Sequence, residues 1–285
     1  MDGMPCRPVP RFPAGFAPWT ALAAVLAALL ALEALLGASH ASQEPSGPGY
    51  TDTPLLPGSR WRVHDAARPR PEVVRPGADC GAPPSDAVVL FDGSDLGAWS
   101  HRDGREAEWA VADGAFVVEP GSGDLRTREE FGAIQLHLEW RAPTPPEGES
   151  QHRGNSGLFL MGRYEVQILD SWDNPTYADG QAAALYGQAP PLVNASRPPG
   201  EWQSYDLVFT PPRFDDDGGL AEPARITLFH DGVAVQVHQP FLGSTVHRAV
   251  ARYEAHPPTG PIVLQDHGQR VAFRNVWVRR LQPAP

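Results

Sequence analysis

The chain has 285 residues, 41% of them apolar and 20% charged, enough for a core of one large domain or two small ones and too apolar for a disordered chain. Its 23 Lys and Arg stand against 34 Asp and Glu, a net charge of −11, which repels phosphate backbones and anionic membrane surfaces and excludes nucleic acid as a partner. The 32 Pro and 28 Gly, with no long Ala/Leu/Glu/Lys stretch after the N-terminus, point to an all-β, turn-rich fold. The two cysteines, Cys6 and Cys80, are too few for a disulfide scaffold or a four-thiolate metal site.

In chain order, Arg7 and Arg11 precede an unbroken apolar run from Ala21 to Leu32, and Gly37-Ala38-Ser39-His40-Ala41 follows it. This is the layout of a secretory leader, expected to span 1–41 with cleavage after Ala41. The other reading is a permanent anchor, because Trp19 to Leu36 approaches membrane-spanning length, although Glu33 interrupts it. Either way the domain is exported to the periplasm or beyond, with no stable membrane insertion once the leader is removed. Residues 42–86 are rich in Pro and Gly and lack both strand and helix periodicity. Because Tyr50, Leu55, Leu56, Trp61 and Val63 are each worth roughly 1.5–3 kcal/mol when buried, this segment is expected to be an extended arm lying on the main domain.

From Ala87 to residue 282, short β-branched and aromatic runs alternate with turn signals at the spacing of a β-sandwich. Asp113-Gly114 and Asp231-Gly232 each separate two apolar runs, the strongest local hairpin signal. Longer strands are predicted over 133–140, 157–160, 164–170, 201–209, 262–265 and 271–280. No segment reads as a long amphipathic helix, and dinucleotide, P-loop, HExxH and GxSxG motifs do not occur. No metal or cofactor is expected. Asp215-Asp216-Asp217-Gly218-Gly219 lacks the alternating ligands and closing Glu of a calcium loop and is predicted to be a solvated tip. Asn194-Ala195-Ser196 fits a glycosylation sequon only weakly.

Period-two alternation in Tyr164-Glu165-Val166-Gln167-Ile168-Leu169-Asp170 puts Val166 and Ile168 on one face and Glu165 and Gln167 on the other. A polar row of this kind is equally an ordinary solvated sheet face. Its flanks favour a sugar site: Gly154-Asn155-Ser156-Gly157 before it, and Asp170, Trp172 and Tyr177 after it, mix aromatics with amides and carboxylates. His152, His256 and the triplet Gln265-Asp266-His267 are candidate acid/base groups, although Asp266-His267-Gly268 is by spacing alone more readily a turn between strands. The catalytic set is therefore Glu165, His267 and Asp266, with Gln167, Asn155, Trp172, Asp170, Tyr177 and His256 around the substrate. Glu165 and Asp170 differ by an odd number and fall on opposite faces of a regular strand, against the paired carboxylates of an ordinary glycosidase.

The segment Leu90-Phe91-Asp92-Gly93-Ser94-Asp95-Leu96-Gly97-Ala98-Trp99 resembles the opening of the 3-keto-disaccharide hydrolase domain family. Further blocks resemble that family in the same order: Gly154 to Leu160, Gly162 to Asp170, Tyr177 to Gln181 with Leu185 to Gln188, Gly200 to Gln203, and Leu264 to Gly268 with Phe273 to Arg279. The resemblance implies a concanavalin-like jelly-roll sandwich of two antiparallel sheets and a small carbohydrate substrate, with a sugar 3-dehydrogenase in the same pathway. It also implies a reaction. A ketone at C3 acidifies the C2 proton; a base removes it, the glycosidic oxygen leaves C1, and water adds. That route needs a base (His267 or Glu165), a donor to the sugar oxygens (Gln167), and an acid or orienting group (Asp266). A non-catalytic, lectin-like module is the competing class.

Overall fold

The computed structural model describes residues 48–281; the expected leader lies outside the described residues. The described chain falls into two units that part between Val73 and Val74. In the first, Tyr50 bridges Asp65 and Leu55 bridges Arg62, and the Asp65 carboxylate accepts from the backbone N–H of Arg62 at 3.0 Å and of Ala67 at 2.9 Å. Those donors hold the Asp65 carboxyl below its ordinary value. Residues 48–73 are thus a looped unit with its own hydrogen bonds, and residues 74–86 belong with the second unit.

The second unit contains strands β1 (Val88–Phe91), β2 (Trp99–His101), β3 (Ala110–Ala112), β4 (Ala115–Val117), β5 (Leu125–Thr127), β6 (Ile134–Arg141), β7 (Ser156–Leu160), β8 (Tyr164–Ile168), β9 (Gln203–Thr210), β10 (Arg213–Phe214), β11 (Leu220–Glu222), β12 (Arg225–His230), β13 (Val233–Pro240), β14 (Val263–Leu264) and β15 (Ala272–Arg280). The larger sheet runs β13-β12-β9-β6-β15-β4-β3, with β1 also on β15. The smaller runs β2-β5-β14-β7-β8, and β10-β11 is a separate ribbon. Every strand pair is antiparallel. The fold is an all-β sandwich, and among the described residues no helix is long and apolar enough to cross a membrane.

Both Asp-Gly signals fall at two-residue hairpins: Ala112 pairs Ala115, and His230 pairs Val233. All four turn residues have positive φ, between 49° and 78°, the conformation that matches the twist of the flanking strands. One face of each sheet meets in a single core that includes Ile134, Leu136, Leu138 and Trp140 of β6 and Tyr164, Val166 and Ile168 of β8. Asp215 caps the tip between β10 and β11, accepting from the Asp217 and Gly219 N–H groups at 3.1 and 2.6 Å.

Strand β8 is the edge of the smaller sheet, and two loop segments cover its free side. Gln167 N–H donates to the Ala184 carbonyl and Ala183 N–H to the Gln167 carbonyl, both at 2.9 Å, and Tyr186 N–H reaches the Glu165 carbonyl at 3.3 Å. From the second segment, the Thr245 hydroxyl accepts from Glu165 N–H at 3.0 Å. An exposed row of unpaired backbone groups is thereby closed.

On the outward face of the larger sheet, a register shift in β15 between Arg274 and Trp277, with Asn275 at φ 45°, turns the Asn275 amide onto Glu139 at 2.9 Å and the Gly81 carbonyl at 3.0 Å. His137 Nδ1 pairs with Asp206 at 2.7 Å, and Arg274 binds Glu139 at 2.6 Å. Burial alone would lower the His137 pKa, but Asp206 and Glu139 raise it to about 9. Burial likewise works against the Glu139 carboxylate, yet His137, Asn275 and Arg274 hold its pKa down at about 2.

Candidate active site

Glu165 and Gln167 point off β8 away from the core, as period two requires, into a pocket of about 260 Å³ that also takes in Asn155, Thr245, Gln265 and His267. A larger, more open hollow of about 960 Å³ adjoins it, with His152, Tyr177, Asp179 and Val250 on its walls. Tyr186, His247 and His267 line both.

Glu165 is 5% exposed. Its partner strand makes room for it: a Cβ on Gly157 would stand 2.7 Å from Glu165 Oε1 and 2.8 Å from the Phe159 ring, so only glycine leaves space for the carboxyl at that position. Burial, with the Asp124 carboxylate adding to it, pushes the Glu165 pKa up to about 8. At neutral pH it is a carboxylic acid with a proton to donate.

The orientation of the neighbouring amides follows from backbone carbonyls, which can only accept. Gln151 Nε2 donates to the Gly180 carbonyl at 2.8 Å, leaving its Oε1 to accept from Gln167 Nε2 at 2.8 Å. Asn155 Nδ2 donates to the Gln151 carbonyl at 2.7 Å. Gln167 Oε1 and Asn155 Oδ1 are therefore the free atoms, and both are buried without a hydrogen-bond partner. Orphaned buried acceptors are costly, on the order of 1–3 kcal/mol each, and two in one pocket suit a ligand bearing hydroxyls. Gln167 was expected to donate to sugar oxygens; its N–H₂ group is held by Gln151, and it presents an acceptor instead.

Burial lowers the His267 pKa, and charge on nearby His152 and His247 acts in the same direction. The neutral imidazole is the form present near pH 7, a free base on the same pocket as a protonated acid.

Several other expected site residues stand elsewhere. Asp266 does not line the pocket: its carboxylate accepts from Gly123 N–H at 3.0 Å and from Gly268 N–H at 2.9 Å. The second is a side-chain turn over two residues, so here the turn chemistry of Asp prevailed. Asp170 is buried on Arg153 Nε at 2.8 Å and locks the end of β8. Trp172, beyond that lock, lies over a separate shallow hollow with Asp173 and Asn194. His256 is also remote. Its Nε2 is 2.7 Å from the Tyr164 hydroxyl, and Tyr164 faces the core, on the other side of β8 from Glu165. Tyr177 and His152 do line the open hollow.

Gln265, of the candidate triplet, lines the inner pocket with His267. Sequence reasoning missed Gln151, Tyr186, Thr245 and His247. Tyr186 falls within the blocks that resemble the family, whereas nothing local to Gln151, Thr245 or His247 marks them. Among the described residues no group of three or more His, Cys, Asp or Glu is arranged to hold a metal ion.

Known proteins agree with this architecture. A solved candidate glycosyl hydrolase from Parabacteroides distasonis is 45% identical, with a TM-score of 0.73 over 80% of this chain and 100% of that one. A second candidate glycosyl hydrolase from the same organism, 21% identical with a TM-score of 0.50, covers 69% of this chain and 94% of its own and shows the fold alone. A 3-keto-disaccharide hydrolase of Bacteroides thetaiotaomicron is 24% identical over 238 residues, 68% of this chain and 78% of that protein. The family profile described as the 3-keto-alpha-glucoside-1,2-lyase-like domain matches residues 86–279, and the chain belongs to that family.

Proposed function

We propose that the protein cleaves the glycosidic bond of sugars already oxidised to a ketone at C3, by elimination followed by hydration. The observation that carries this reading is the pair of groups whose pKa values burial drives apart in one pocket, His267 downward and Glu165 up to about 8. His267 takes the C2 proton. Glu165 donates to the C3 carbonyl oxygen, where charge gathers as the enolate forms. Gln167 Oε1 and Asn155 Oδ1 accept from ring hydroxyls and orient the sugar. The C1–O bond then breaks and C1=C2 forms; water adds at C1, releasing a proton that balances the one taken up by the departing oxygen, and His267 returns its proton to C2. The names of the Bacteroides and Parabacteroides relatives support a glycoside substrate.

The test compares a 3-keto-disaccharide with the same disaccharide unoxidised. Release of the 3-keto-monosaccharide from the first and nothing from the second is expected. Equal cleavage of both, or tight binding of the keto sugar with no release, overturns the assignment, the latter in favour of a lectin. The substrate must come from an enzyme that oxidises a sugar at C3, a dehydrogenase by chemistry. Export, resting on the leader-like sequence, is part of the same proposal; cell fractionation would refute it if the chain stayed cytoplasmic.

A further inference from the structure

The proposed elimination leaves one requirement unassigned, the proton for the departing glycosidic oxygen, because the Asp266 carboxylate is occupied by Gly123 and Gly268. If the polar inner pocket holds the oxidised ring, the rest of the substrate extends into the larger hollow, and the bond to be broken crosses between them. Three side chains line both spaces, Tyr186, His247 and His267. His267 is the base, which leaves two.

Of these, the Tyr186 hydroxyl is the middle of a chain. Its oxygen is 2.8 Å from the Tyr177 hydroxyl and 3.0 Å from His247 Nδ1. Two groups that can donate thus converge on the one atom that would carry negative charge after giving up its proton. Tyr177 is fixed in turn, its ring packed against Gly180, where a Cβ would stand 2.0 Å from it. Tyr186 is placed by its backbone bond to the Glu165 carbonyl.

We infer that Tyr186 is the catalytic acid for the leaving group, with Tyr177 and His247 as positioning residues that stabilise its phenolate and return the proton. This rests on the elimination reading and deepens it. As His267 takes the C2 proton and the C1–O electron pair goes to the departing oxygen, that oxygen takes the Tyr186 proton. The products are the aglycone alcohol, the C1=C2 enone and a tyrosinate held by two donors. Burial holds the Tyr186 pKa above the ordinary phenol value, so the phenol keeps its proton until charge builds on the departing oxygen and draws it across. The phenolate regains its proton from His247, which exchanges with solvent through the open hollow, and hydration restores His267.

The experiment compares Tyr186→Phe with the parent enzyme on 3-keto-glucosides of methanol and of 4-nitrophenol, and follows solvent deuterium entering C2. Turnover of the methyl glycoside should fall about 10²- to 10⁴-fold, the usual contribution of a positioned acid. Turnover of the nitrophenyl glycoside, whose leaving group needs no proton, should change only a few-fold, and deuterium exchange at C2 should persist. Equal losses on both aglycones, no loss on either, or loss of exchange together with release would overturn the assignment. Tyr177→Phe should show the same selectivity, more weakly. Failure of the underlying elimination reading is distinguishable in the parent enzyme itself, which would then release neither aglycone, or release both with no deuterium entering C2.

Discussion

Burial acts in opposite directions on an acid and a base, and the pocket contains one of each in the state the chemistry needs. His267 is a free base only above its lowered pKa, and Glu165 is a proton donor only below about 8. Turnover should therefore rise on leaving acid, with a midpoint below the ordinary histidine value of about 6.5, and fall again through pH 8. In a kcat/KM profile, Glu165→Gln should remove the alkaline limb while keeping the acid one; an alkaline limb that survives in this variant would remove Glu165 from the acid role. Gly157→Ala tests the same group from the neighbouring strand. Its Cβ would sit 2.7 Å from Glu165 Oε1, and displacement of a reacting group by about 1 Å can cost 10²-fold. A loss of tenfold or more with an unchanged circular dichroism spectrum is expected; unaltered turnover would mean the carboxyl has room to spare.

At the scale of elements, local chemistry fixed what is local. Asp113-Gly114 and Asp231-Gly232 signal their hairpins because the two-residue turn needs positive φ at both central positions, and the parity of β8 follows from the requirement that Tyr164, Val166 and Ile168 be buried. The strand ends at Ile168, not Asp170, since Arg153 draws the Asp170 carboxylate into a clamp that no periodicity encodes. Asp266 illustrates the limit: its sequence context favours an Asp turn over an acid next to a histidine without deciding between them, and the outcome depends on Gly123, distant in sequence, offering an N–H. Tyr186, Thr245 and His247 reach the site from loops whose meeting is set by sheet packing. The β15 bulge carries its own prediction. Glu139, with its pKa held at about 2, contributes stability above about 4.5 that is lost as pH falls toward 2. His137, raised to about 9, contributes stability below about 6.5 that is lost as pH rises through 9. Thermal melts of Glu139→Gln across pH should show a lower, flatter curve than the parent on both shoulders; parallel curves would mean that this network is not titrating.

For the whole molecule, the two outward faces of the sandwich are put to different uses. The larger sheet faces out with paired charges, Glu139 with Arg274 and His137 with Asp206, whereas the smaller sheet faces out with unpaired acceptors and a neutral acid. With a net charge of −11 and an isoelectric point near 5.3, the protein repels its copies at neutral pH and loses that repulsion in mild acid. Turbidity at low salt should peak near pH 5.3, inside the window where both His137 and Glu139 still stabilise the fold; a turbid sample that remains folded by near-ultraviolet circular dichroism would separate association from unfolding.

The covering of β8 bears on how such a site can diversify. The backbone of residues 183–186 and the Thr245 side chain close the strand's free edge, and the same two segments present Tyr186 and His247 to the pocket. Side chains there can be exchanged to suit a new aglycone while the edge stays sealed, but shortening either segment would bare a strand ready to pair with its neighbours. Substrate range in this architecture is therefore free to drift by substitution and constrained against deletion, and libraries that vary residues 246–250 at fixed length should yield soluble variants where truncated loops yield aggregates.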